Sequence, residues 1–204
     1  MVKVDDVLWL KVTGTCGFLT PIVAFACIFS AIASYPQFNW LNNALSDLGV
    51  VEGVTKVVFN SGLIVGGALC AVFATGLFVV LKERAVGKVG AFVFVLASVS
   101  LLAIGFFPEN VRPTHYIVSV MFFTFLPVSL LINVGAFGLM RRVRMVVCTF
   151  LVAVAATAPW VLYFTVNYAP NVALPEIVSA FAGAVWAMVL SGKMLRQASR
   201  AKTS

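Results

Sequence analysis

"KVVFNSGLIVGGALCAVFATGLFVVL", residues 56–81, is an unbroken apolar run whose one ionised side chain is the Lys56 that opens it. A helix rises about 1.5 Å per residue, so a run of this length reaches across a hydrocarbon core about 30 Å thick. Its Ser61, Gly62, Gly66, Gly67 and Gly76 leave room for other backbones to approach, and Gly62-x-x-x-Gly66 has the spacing by which membrane helices pack. The stretch reads as a transmembrane helix, and it sets the solvent for the rest of the chain.

Similar runs flank it at about 12–34, 89–107, 115–140, 145–166 and 174–190. The chain has 204 residues, 62% of them hydrophobic and 10% charged, with a mean hydropathy of +1.06. Soluble domains are about 45–50% apolar and about 25% charged, and one core of this size could not hide the excess. The expectation is an all-α integral membrane protein, residues 1–204 forming a single six-transmembrane-helix bundle. The small pair Ala31 and Ala33 imitates a signal-peptidase site, but the preceding apolar stretch exceeds the about 7–15 residues of a signal core, so the first run is read as a retained span. Pro21, Pro127 and Pro159 predict kinks in the first, fourth and fifth spans.

Charge sets the orientation. With both termini cytoplasmic, the inner side holds Lys3, Lys11, Lys82, Arg84, Lys88, Arg141, Arg142, Arg144, Lys193, Arg196, Arg200 and Lys202, leaving only Lys56 and Arg112 outside. That asymmetry follows the positive-inside rule and places the chain in the cell membrane as a multi-pass protein. The net charge of +7 is therefore a topology signal, and no nucleic-acid partner is expected, because the cations are not interleaved with aromatics in a soluble region. Cys16, Cys27, Cys70 and Cys148 lie in or beside apolar runs without paired spacing, so neither a disulfide framework nor a zinc site reads out of them.

The polar side chains collect on the other side. Between the first two spans stands "NALSDLGVVEGVTKVVFN", residues 43–60, which carries Asn43, Ser46, Asp47, Glu52 and Asn60. Leu41, Ala44, Leu45 and Leu48 recur at helical spacing, which predicts a short interfacial helix anchored by Phe38 and Trp40, ended by Gly49 and followed by a turn at Gly53. The second outer connection, "GFFPENVRPTHY" (105–116), brackets Glu109, Asn110 and Arg112 between Pro108 and Pro113, then starts a span with the only histidine, His115. The third, "VNYAPNVALPEIV" (166–178), places Pro175 and Glu176 where a helix begins.

The Ser46-Asp47 loop and "GFFPENVRPTH" resemble the six-span prokaryotic family catalogued as domain of unknown function 998, over nearly the whole chain. Ser46-Asp47-Leu48-Gly49, with Phe59 and Asn60 in the next span, is similar to the Ile-Ser-Asp-Thr-Gly loop of the eukaryotic Frag1/DRAM/Sfk1 superfamily. Members of that group are linked to lipid remodelling and phospholipid organisation. Neither resemblance supplies catalytic residues. Ceramidase-like hydrolases combine a Ser, an Asp and three histidines around zinc; this chain offers Ser46 and Asp47 but only His115.

Ionisable groups near a bilayer are costly to hold and often functional. The leading expectation is an outer pocket that binds or organises lipid head groups through Asn43, Ser46, Asp47, Glu52, Asn60, Glu109, Arg112 and His115, with Trp40, Tyr116, Trp160 and Tyr163 available as walls. An alternative is a lipid-modifying intramembrane hydrolase in which Asp47 or Glu109 is the base, His115 an acid or base, and Arg112 steadies a phosphate. A carrier or channel would need a polar path, for which Thr75, Ser98, Ser100, Thr124, Ser129 and Asn133 are the only residues, all neutral. No cofactor or metal is assigned, Asp47, Glu109 and His115 being the one set of suitable types. Membrane lipids are the expected partners, with self-association through the small-residue faces of the second and sixth spans as a further possibility.

Overall fold

The computed structural model describes residues 4–201. Six helices account for most of them: α1 (Val4–Ala33), α2 (Val54–Val80), α3 (Ala85–Phe106), α4 (Thr114–Leu139), α5 (Val143–Val166) and α6 (Ala173–Arg200). All six are long and apolar enough to cross a membrane, and no strand occurs among the described residues. Large apolar side chains such as Val57, Phe92, Leu131 and Phe164 stand exposed on the outside, as expected of a multi-pass membrane protein whose solvent is lipid.

The helix boundaries depart most from the sequence reading at the chain's two ends. Helix α1 begins at Val4 rather than near residue 12, and α6 runs to Arg200 rather than stopping near 190. Hydropathy marks only the stretch that lipid surrounds. Lys193, Arg196 and Gln197 extend α6 beyond it, and Asp6 of α1 pairs with Lys82 at 3.2 Å. Pro21, Pro127 and Pro159 fall inside α1, α4 and α5, each of which continues past its proline.

Each helix packs on the next in sequence, and α6 returns to α1, closing a ring. The Gly62/Gly66 pair is spent inside this ring: a Cβ at Gly62 would lie 2.2 Å from Cys27 Cβ, and one at Gly66 would lie 3.2 Å from Ala24 Cβ. The small residues of α6 also turn inward, Gly183 facing Leu126 of α4.

At mid-depth the axis is filled by aromatic rings. Trp186, fully buried, stands 5.1 Å from Phe94 and 6.4 Å from Phe73 between centroids, and its indole N–H donates to Thr149 Oγ1 at 3.0 Å. Below this plug lies the end bearing the short loops 81–84 and 140–142; above it lies the end bearing the three long connections. We call these the cationic and the carboxylate ends.

Candidate functional site

The first connection does not form the expected amphipathic helix; it forms a 3-10 turn, Leu45–Gly49. Side chains compete for the backbone here. Asn39 Oδ1 accepts the Leu41 and Asn42 N–H groups at 2.9 and 3.1 Å, Asn43 Oδ1 accepts the Asn39 N–H at 2.9 Å, and Asp47 Oδ2 accepts the Ala44 N–H at 3.0 Å. Leu41 is exposed, whereas Ala44, Leu45 and Leu48 are buried, so the turn sits on the bundle as a lid. Trp40 packs edge-on against Phe38 at 5.1 Å between centroids, and neither ring lines a cavity.

Several ties hold this lid. Asn60 Nδ2 donates to the Gly49 carbonyl at 2.9 Å. A Cβ at Gly49 would lie 2.7 Å from Asn60 Oδ1, so only glycine allows that approach. Gly53, at φ +92°, turns the chain into α2 as its sequence position suggests. From the third connection, the Asn171 and Ala173 N–H groups donate to the Leu41 and Asn43 carbonyls at 3.0 and 3.1 Å. Last, Glu176 in the first turn of α6 accepts the Leu45 N–H on Oε2 at 2.7 Å.

Under the lid are two adjoining hollows. One, a cavity of about 110 Å³, lies along the ring axis and is almost wholly apolar, walled by Phe25, Leu63, Leu101, Phe122 and Leu126 and floored by Phe94 and Ala187. The other, of about 830 Å³, opens between α4 and α5. Glu109, Arg112, His115 and Asn171 form its upper rim, and Val120, Phe123, Trp160 and Phe164 continue it downward. Ser46, Ser119, Phe123 and Glu176 line both.

Several of the sequence-derived residues converge on this place. Asp47 accepts from Asn43 Nδ2 at 2.7 Å and also contacts the Glu109 carboxyl, which carries a 2.9 Å ion pair to Arg112. Burial pushes the Glu109 carboxyl above its ordinary value; the Asp47 hydrogen bond and charge push it further, while Arg112 and His115 pull it back. Two carboxyls in contact are held most cheaply when one keeps its proton. Ser46 faces the hollows directly. Asn43 and Asn60 do not line them and act on the lid, while Glu52 is exposed and lies on neither wall. Of the aromatics named as walls, Tyr116, Trp160 and Tyr163 serve and Trp40 does not.

His115 is buried, and its ring is oriented by backbone rather than by a carboxylate. Nδ1 lies 2.7 Å from the Phe107 carbonyl oxygen, and Nε2 lies 3.4 Å from Ser119 Oγ. A carbonyl only accepts, so Nδ1 carries the hydrogen, and in the neutral ring Nε2 presents its lone pair to Ser119. Among the described residues no three of His, Cys, Asp and Glu are grouped so as to hold a metal ion, and Asp47, Glu109 and His115 are not such a set.

Two contributors were not singled out as site residues from sequence. Glu176 was read as a helix-start carboxylate; that role holds, but it is also buried, on the wall of both hollows, and bonded to a residue far away in the chain. Ser119 looks like any hydroxyl within a span. Its one signal was the i, i+4 spacing from the sole histidine.

The family described as "Protein of unknown function (DUF998)" matches residues 18–193. No curated protein and no solved structure matches the chain.

Proposed function

The chain belongs to the DUF998 family, and we propose that its carboxylate half binds a membrane amphiphile, head group at the rim and acyl chain in the axial hollow. The observation that carries this reading is the adjacency of a polar-rimmed chamber and an apolar cavity along a shared wall of Ser46, Ser119, Phe123 and Glu176. Lipid-sized pockets are largely apolar with a few placed polar groups. The opening between α4 and α5, where Tyr116 and Phe164 are exposed, gives a lipid a lateral way in from the bilayer. With both termini cytoplasmic, as the distribution of Lys and Arg favours, the chamber faces the outer leaflet.

A carrier finds less support. Thr75, Ser98 and Ser100 return their hydroxyls to carbonyls of their own helices at 2.6, 2.9 and 2.8 Å, and the aromatic plug interrupts the axis. The amphiphile reading is tested by quantifying lipid that copurifies with the wild type and with Ala184→Leu, which fills the axial hollow. Retained lipid in the wild type that falls severalfold in the variant is the expected result. Equal lipid in both, in folded protein, would discard the site.

A further inference from the structure

Resting on the amphiphile reading, we infer that Ser119 is a nucleophile and His115 its general base, acting on an ester-linked amphiphile. Ser119 stands where the polar chamber meets the apolar cavity. In an ester lipid seated head upward, the carbonyl joins head to chain at that same boundary. The reactive bond and the hydroxyl thus occupy one level of the bundle.

The geometry around Ser119 follows the logic of an activated hydroxyl: a base within reach, and a third group that fixes the base. The Phe107 carbonyl, at 2.7 Å from Nδ1, holds the tautomer in which Nε2 accepts. The 3.4 Å from Nε2 to Ser119 Oγ is of the looser kind that such pairs show before substrate tightens them. His115 is buried, so packing fixes the ring beside Ser119. Across the chamber, the Trp160 indole N–H is buried without a hydrogen-bond partner. Its ring packs at 4.7 Å between centroids on Phe123, one turn below Ser119, so a free donor belongs to the wall of the same chamber.

In the reaction, Ser119 Oγ attacks the ester carbonyl carbon and its proton passes to Nε2 of His115. The tetrahedral intermediate collapses, the bond to the alcohol oxygen breaks, and that oxygen takes the proton from His115. Water then attacks the acyl-serine, giving its proton to Nε2, and His115 returns that proton to Ser119 Oγ as the carboxylic acid leaves. The residues differ from the carboxylate-based scheme suggested by the loops: Asp47 and Glu109 hold the lid and rim, and the imidazole's hydrogen bonds go to Phe107 and Ser119 instead.

The test is covalent labelling of the purified full chain in lipid nanodiscs with an alkyl fluorophosphonate, read by peptide mass mapping. One adduct, on Ser119, is expected. It is absent in Ser119→Ala, and it forms at least about 100-fold more slowly in His115→Gln, the scale of a lost general base. Absence of an adduct from wild type, an adduct on another serine only, or a rate indifferent to His115→Gln would each overturn the assignment. Lipid copurification is scored on the same detergent-purified protein before it is placed in nanodiscs. Bound lipid without labelling removes the nucleophile and leaves the binding site; labelling without bound lipid does the reverse.

Discussion

Glycine brings neighbouring helices together on both sides of Trp186, with Gly62 against Cys27 and Gly67 against Leu102 above it, while the two hollows also open above it. At the cationic end a Cβ on Gly76 would lie 2.3 Å from Thr13 Oγ1, one on Gly17 would lie 2.2 Å from Ser191 Oγ, and one on Gly90 would lie 2.3 Å from Asn133 Oδ1. With backbones that close, dispersion contacts between helices replace a hydrophobic force that lipid does not supply. At the carboxylate end Phe122, Phe123 and Leu126 surround volume without filling it. An unfilled hollow forfeits such contacts, so the upper half keeps its shape through hydrogen bonds from the lid to α2 and α6. Both halves cohere through glycine contacts, and the upper half adds room for an occupant.

The strongest way to break this contrast is to remove the boundary. Trp186→Ala deletes the largest fully buried side chain and leaves the Thr149 hydroxyl without its donor. We expect a loss of about 3–5 kcal/mol, the range for truncating a buried aromatic. Chemical denaturation in mild detergent measures it. A loss comparable to that of an exposed aromatic such as Phe164→Ala would mean that the plug is not structural.

Next in size is a paired enlargement. Gly17→Leu drives a side chain into Phe73 and Ser191 and should cost about 1–3 kcal/mol or more. Ala184→Leu adds the same bulk beside the hollow and should cost less than about 1 kcal/mol while displacing lipid. Thermal unfolding of the two variants side by side reads the asymmetry. Equal destabilisation would show that the upper half is as tightly packed as the lower.

Helix-to-helix packing was more legible in sequence than the lid, for a physical reason. Glycine spacing within one helix is local information, and Gly62 with Gly66 meets α1 as that spacing implies. Span number and the clustering of Asp47, Glu109, Arg112 and His115 were legible too, because charge and hydropathy are set residue by residue. The lid was misread because Leu41, Ala44, Leu45 and Leu48 keep helical spacing while Asn39, Asn43 and Asp47 capture the N–H groups that a helix would need. Periodicity counts apolar residues and is blind to that competition. The Glu176 bond to Leu45 joins residues 131 apart, and the position of Ser119 on a shared wall depends on four other helices. Neither has a local signature.

Glu176 gives the next perturbation, confined to the lid. Glu176→Gln keeps an oxygen to accept the Leu45 N–H, whereas Glu176→Ala leaves that buried donor unsatisfied, at a cost of about 1–3 kcal/mol. Hydrogen exchange should therefore quicken at residues 45–49 in the alanine variant and stay near wild type in the glutamine one. Exchange at the glycine contacts of the cationic end should be unchanged in both. If both ends quicken together, the halves are one cooperative unit and the contrast is only geometric.

The smallest expected effect is on pH dependence, and it sharpens the comparison by locating its electrostatics. The Glu109 carboxyl is raised, chiefly by burial and then by Asp47, so folded protein retains a proton that the unfolded chain has released above its ordinary value of 4.5. Where the folded state binds more protons, stability falls as pH rises. The contribution of this group is thus fully present below the ordinary carboxylate range and lost as pH climbs through the raised value. Wild-type Tm should decline as pH rises above the ordinary carboxylate range, and Glu109→Gln, which fixes an uncharged amide there, should flatten that decline. Arg112→Ala removes the partner that pulls the carboxyl down, so it should move the decline to higher pH. A slope unchanged in Glu109→Gln would place the titrating group elsewhere and detach the Asp47–Glu109 contact from the stability of the lid.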